Sequence, residues 1–134
     1  MDQTKIAVIG AGPGGYAAAF MAADLGVETT LIAPEANPGG VCLYRGCFPS
    51  KALLHAARVL TEVEEAGALG IRFGEPEVDL DALRAWGEGV VRKLTVGLGQ
   101  LSKQRKIRFV RGKAAFRDAR NLEIRAEDGT LSEL

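Results

Sequence analysis

Apolar residues follow two rhythms along this chain. Lys5-Ile-Ala-Val-Ile9 is a short apolar run stopped by Gly10, as in a strand buried on both faces of a parallel sheet. Tyr16 to Leu25 is rich in alanine and predicts a helix, with Gly26 placed to close it. Val27 to Ala33 is a second apolar strand. From Pro49 to Ala66 the period lengthens: Leu53, Leu54, Ala57, Leu60 and Val63 recur at helical spacing, and Gly67 and Gly70 end the helix. Ile71 to Phe73 is a short extended piece and Pro76 marks a loop. Asp79 can cap a second long helix. Its Leu83, Trp86, Val90, Leu94, Leu98 and Leu101 form one stripe, expected to face a core. Ile107 to Val110 reads as a third strand. Lys113 to Phe116, Leu122 to Ala126 and Thr130 to Leu134, with turns at Arg117 to Asn121 and Glu127 to Gly129, predict a small antiparallel meander.

The link between the first strand and the first helix is Gly10-Ala-Gly-Pro-Gly-Gly15, which satisfies G-x-G-x-x-G. Alone, that spacing describes any tight strand–helix turn. Between two strands about 30 residues apart it is the fingerprint of a dinucleotide site. Gly10 makes the turn, Gly12 admits the pyrophosphate against bare backbone, and Gly15 lets helix and strand pack closely. The phosphates would rest on the amides at the N-terminus of the helix that follows. The fold class is therefore α/β: a Rossmann-like βαβ unit with a parallel sheet, long helices and the meander. After the second strand, Glu35 is the only nearby carboxylate for ribose hydroxyls; a solvated loop carboxylate is the alternative.

Composition narrows the class without adding chemistry. The 134 residues suit about one domain. Seventeen basic residues balance seventeen acidic ones, which offers nothing to nucleic acid or an anionic membrane. With no leader-like start and no run long enough to span a bilayer, a soluble, cytoplasmic protein is expected.

Both cysteines, Cys42 and Cys47, sit in Gly39-Gly-Val-Cys-Leu-Tyr-Arg-Gly-Cys-Phe-Pro-Ser-Lys51. Positions i and i+5 of a regular helix are roughly 8.5 Å apart at Cα, while a disulfide needs less than about 7 Å. A distorted turn over Cys42 to Cys47, permitted by Gly46, is expected, with regular helix from about Pro49. Cys47 then lies near a helix N-terminus with Lys51 close by, and both favour a thiolate. A structural disulfide would close a very short loop and stabilise little. Two cysteines and the single His55 do not complete a structural zinc site, so no metal is expected; His55 reads as a packed or surface residue. A redox-active pair remains the favoured reading, the more so in a cytosolic protein.

The stretches Gly10 to Gly15 and Gly39 to Leu54 resemble the flavoprotein disulfide reductases, and Pro-Ser-Lys-Ala-Leu-Leu-His at 49 to 55 looks most like their dihydrolipoamide dehydrogenase branch. The resemblance implies an FAD-dependent dithiol–disulfide oxidoreductase that passes electrons from dihydrolipoyl groups through a Cys42–Cys47 disulfide and FAD to NAD. Cys42 would exchange with substrate, Cys47 would face the flavin, and Lys51 would favour the reduced ring. Gly10, Gly12, Pro13, Gly14 and Gly15 would hold the pyrophosphate. Gly39, Gly40, Val41 and Cys42 would pass along the cofactor, and the Ala114 backbone would approach the adenine. The implied partner is the dihydrolipoyl group of a 2-oxo acid dehydrogenase or glycine cleavage complex, and the implied assembly a homodimer. Three departures stand out. Tyr44 and Arg45 replace the usual residues between the cysteines, and Phe48 an aliphatic one, which bears on substrate. The ribose acid falls at Ala33, with Glu35 as possible substitute. The chain is also far shorter than the family, so residues 1–134 are expected to be the N-terminal part of a truncated FAD-binding domain. The NAD and dimerisation domains and the acid–base pair would be absent, and the chain alone inactive. Another flavoprotein disulfide reductase, a non-catalytic flavin- or nucleotide-binding fragment, and a plain NAD-binding domain with incidental cysteines are the alternative readings.

Overall fold

The computed structural model describes residues 2–134. Strand β1 (Ile6–Ile9) leads into helix α1 (Pro13–Asp24), and the chain returns as β2 (Thr29–Ala33). Two helices follow almost without a gap, α2 (Gly40–Arg45) and α3 (Cys47–Glu65), then a 3-10 turn at Ala66–Leu69 and the long α4 (Leu80–Gln104). Strand β3 (Arg108–Arg111) completes the first sheet, and β4 (Lys113–Phe116), β5 (Leu122–Arg125) and β6 (Leu131–Glu133) form the second. The first sheet is parallel in the order β1-β2-β3, with Ala33 in register with Arg111; the second is an antiparallel meander. The α/β class expected from the sequence is the observed one.

Strand β2 divides the core. All five of its residues are buried, and alternate side chains point to opposite faces. Leu31 and Ala33 join Ala11, Ala19 and Ile107 beneath α1, with Tyr16 and Phe20 at the margin. Ile32 packs the other way, on Leu122, Ile124 and Leu134 of the meander side. The meander is thus anchored to the parallel sheet through one strand's second face.

Four expectations need correction. β1 is an edge strand, and Ile6 and Ile9 are exposed; an unbroken apolar run does not distinguish an edge from a centre. α1 starts at Pro13, three residues before Tyr16, because Gly14 and Gly15 take helical conformation. The pair Gly26 N–H to Ala23 O and Val27 N–H to Ala22 O then closes it, with Gly26 at φ +80°. Asp79 caps α4 as expected, its Oδ1 accepting from the Asp81 and Ala82 amides at 2.9 Å. The buried face of α4, however, is Thr95, Gly99 and Ser102 rather than the leucine stripe, and Trp86 is 46% exposed, stacked loosely on His55. Small residues win that face because the loop after β2 comes close. A Cβ on Gly99 would stand 2.2 Å from Asn37 Oδ1.

Candidate flavin and disulfide site

The C-terminal ends of the parallel strands gather the glycine turn, the loop after β2 and the start of β4. Gly10 has φ +94°, and its amide donates to Ile32 O at 2.8 Å, fixing the turn to β2. A Cβ on Gly15 would lie 1.8 Å from Gly10 O, so that glycine sets how tightly α1 sits on the turn. Gly12 and Gly14 differ: a Cβ on either meets nothing within 4 Å. They border open space at the N-terminus of α1, where no side chain caps the helix and no acidic residue occupies the first turn. Free amides, a positive helix end and bare backbone are what a pyrophosphate requires, so these residues fit a dinucleotide.

The cysteine segment is built onto that turn. Gly39 N–H donates to Ala11 O at 2.8 Å. Gly40, at φ +58°, lies so close that a Cβ there would come within 2.5 Å of Gly12 Cα. Cys42 follows as the third residue of α2, and Val41 is exposed beside it.

The irregularity between the cysteines is narrower than expected. Helix runs to Arg45 and resumes at Cys47, so Gly46 alone breaks it. A Cβ on Gly46 would sit 3.0 Å from Val41 O and 3.3 Å from Cys42 Cα. The start of α3 is therefore folded back over Cys42. Cys47 is the first residue of α3, two before Pro49, and both sulfurs are free thiols. Interaction with the Cys47 side chain, with desolvation, pushes the Cys42 thiol above its ordinary value of 9.0, against the Cys47 amide and Lys51. The Cys42 sulfur thus holds its proton. Cys47 is exposed and Cys42 half-buried, so in the chain alone Cys47 is the more accessible thiol. Lys51 is exposed, its Nζ 5.4 Å from the Phe48 ring centre.

The departures between the cysteines turn away from the thiols. Tyr44 Oη donates to Asn37 O at 3.2 Å, and Arg45 Nη2 pairs with Glu35 Oε1 at 2.9 Å. Both side chains clamp the loop after β2, and Glu35 is consumed by that clamp. Ala33 is buried and carries no polar group. At the end of β2, Pro34, Arg111, Gly112, Lys113, Arg125 and Glu127 border a cleft of about 680 Å³. Ala114 does not line it, although its neighbours Gly112 and Lys113 do. Sequence reasoning missed Asn37, Thr95 and Gly112. A Cβ on Gly112 would meet Arg125 O at 2.8 Å; the Gly-Lys-Ala-Ala sequence at that strand junction was the available signal. Among the described residues, no group of three or more His, Cys, Asp or Glu could hold a metal, and no helix is long and apolar enough to cross a membrane.

Comparison with known proteins agrees with this geometry. Residues 4–131 match the family described as pyridine nucleotide-disulphide oxidoreductase. The dihydrolipoyl dehydrogenase of Haemophilus influenzae is 50% identical over 127 residues, covering 95% of this chain and 27% of that protein. The dihydrolipoyl dehydrogenase of Thermus scotoductus is 46% identical over 127 residues, with the same two coverages. The crystal structure of LpdA from Mycobacterium tuberculosis superposes with a TM-score of 0.84 at 23% identity, over 98% of this chain and 30% of that one. The chain spans about a quarter of the length of the curated relatives it matches. A family match over nearly every residue, on a fold that joins a glycine turn to a paired-cysteine helix, places this chain in the pyridine nucleotide-disulphide oxidoreductase family.

Proposed function

We propose that residues 1–134 are the N-terminal part of the FAD-binding domain of a dihydrolipoyl dehydrogenase, and that Cys42 and Cys47 are its redox-active pair. The observation that carries this reading is the direct packing of Gly40 on Gly12. It ties the dithiol segment to the pyrophosphate turn, so one bound dinucleotide can touch both. FAD, when bound, supplies two-electron chemistry between a dithiol and a nicotinamide. The chain's own residues bind and orient it. Gly12 and Gly14 admit the pyrophosphate to the amides of α1, and Cys47 and Lys51 present a sulfur and an amine from the first turns of α3. Cys42 keeps the proton and serves the exchange with substrate.

In that exchange a dihydrolipoyl dithiol, carried by a 2-oxo acid dehydrogenase or glycine cleavage complex, loses two electrons and two protons and closes to its cyclic disulfide. The Cys42–Cys47 disulfide accepts both and opens to two thiols. NAD is the final acceptor in the whole enzyme, which we take to be a cytoplasmic homodimer.

The test is to load the oxidised protein with FAD and add one equivalent of dihydrolipoamide without oxygen. Two new protein thiols, mapped to Cys42 and Cys47, are expected, with much less reaction from reduced glutathione. Preference for glutathione would move the protein to another disulfide reductase branch. A colourless protein that binds NAD tightly and FAD not at all would make the cysteines incidental.

A further inference from the structure

We propose that Glu127 supplies the carboxylate that holds the adenosine ribose of the bound dinucleotide, and that Arg111 positions it. The inference rests on the flavin reading above. Ala33, the last residue of β2, has only a methyl group, and Glu35, in the loop that follows, is paired with Arg45, its side chain only 15% exposed. A cleft nevertheless borders Pro34 at the same strand end.

Register explains how a carboxylate reaches it. Ala33 pairs with Arg111 on β3, and the Ala33 carbonyl accepts from the Gly112 amide at 3.0 Å. Arg111, at that register position, donates from Nη2 to Glu127 Oε2 at 3.3 Å. The acid from the turn after β5 is thereby brought to the end of β2. Its other oxygen has no partner among the described residues, and the side chain is 92% exposed. Asp128, also at the cleft, is tied into its own turn, where Oδ1 accepts from the Thr130 amide at 2.9 Å. Glu127 is the cleft carboxylate that an arginine from β3 holds. A ribose diol offers hydroxyl donors that suit an ionised acceptor, and such bonds are about twice as strong as neutral ones.

The experiment is ligand binding by calorimetry with FAD, ADP, 2′,3′-dideoxy-ADP and FMN. The wild-type protein should prefer ADP to the dideoxy analogue by about tenfold or more, the worth of a hydrogen bond to a charged group. Glu127→Gln should lose most of that preference while FMN binding is unchanged. Glu127→Asp, whose reach is shorter, should keep part of it, and Glu35→Gln should keep it all. Arg111→Ala should shift the preference in the same direction as Glu127→Gln. Full preference in Glu127→Gln, its loss in Glu35→Gln, or wild-type indifference to the ribose hydroxyls would overturn the assignment while leaving FAD binding in place. Failure of the wild-type protein to bind either FAD or ADP would instead remove the flavin reading, and this inference with it.

Discussion

Single residues divide into those that shape the site and those that meet its ligand, and substitutions separate the two. Gly15 is pressed on Gly10 O, whereas Gly12 faces open space. Gly15→Ala should cost stability, about 1–3 kcal/mol as overpacking does, seen as a lowered unfolding midpoint. Gly12→Val should keep the fold but weaken FAD by about tenfold to a hundredfold, the loss of one charge-assisted hydrogen bond or more. Glu35→Gln should weaken FAD far less; an equal loss would return the ribose to Glu35. The thiols give a second prediction. Cys47 is the exposed one, so the reduced protein without flavin should be alkylated there first. With FAD bound the order should reverse, because the ring would cover Cys47. Since the Cys42 thiol is held above 9.0, its alkylation should keep accelerating as pH rises beyond that value. Peptide mapping after brief iodoacetamide treatment reads all three outcomes. The glycine turn was legible in the sequence because its spacing falls between two apolar strands, and the cysteines because five residues of regular helix hold two sulfurs too far apart to bridge. The clamp of Tyr44 and Arg45 on the loop after β2 was not, since nothing in a linear chain says which way an exposed side chain turns.

Elements were legible in kind and less so in their ends and faces. The period of the apolar residues located every strand of the meander and each long helix, and Asp79 marked the start of α4. Burial was harder, because it depends on what lies opposite: Trp86 and the leucine stripe look like core only if a partner covers them. The single-residue break at Gly46 shows the same limit, for the sequence permitted a turn but not its width. Turn chemistry within the meander carries a pH prediction. Asp118 closes the turn between β4 and β5 by accepting from the Asn121 side chain and the Arg120 and Asn121 amides. Those bonds, the Asn121 side chain first, hold its carboxyl below 3.8. A depressed value in the fold means the unfolded chain takes the proton first. Stability from this turn is complete above 3.8 and drains as pH falls through the lower folded value. Amide protection across β4 and β5, taken relative to the intrinsic exchange rate at each pH, should therefore fall on acidification below that point, and Asp118→Ala should show the lower protection already at neutral pH.

At the scale of the molecule, the described residues hold one parallel sheet with one glycine turn, room for the one dinucleotide proposed. The 134-residue chain should bind FAD and yet reduce no NAD with dihydrolipoamide; steady NADH formation by the isolated chain would falsify that. Its surface carries exposed apolar residues on several elements, among them Ile9 on β1, Leu53 and Leu54 on α3 and Phe116 on β4. The central claim is that the glycine turn and the cysteine helices place one thiolate against a flavin. Its most direct test is the visible spectrum of FAD-loaded Cys42→Ser and Cys47→Ser across a pH titration. We expect Cys42→Ser to develop a long-wavelength thiolate–flavin band as Cys47 ionises, and Cys47→Ser to show none while retaining FAD. The reverse pattern would exchange the two roles, and two bandless spectra with FAD bound would contradict the placement altogether.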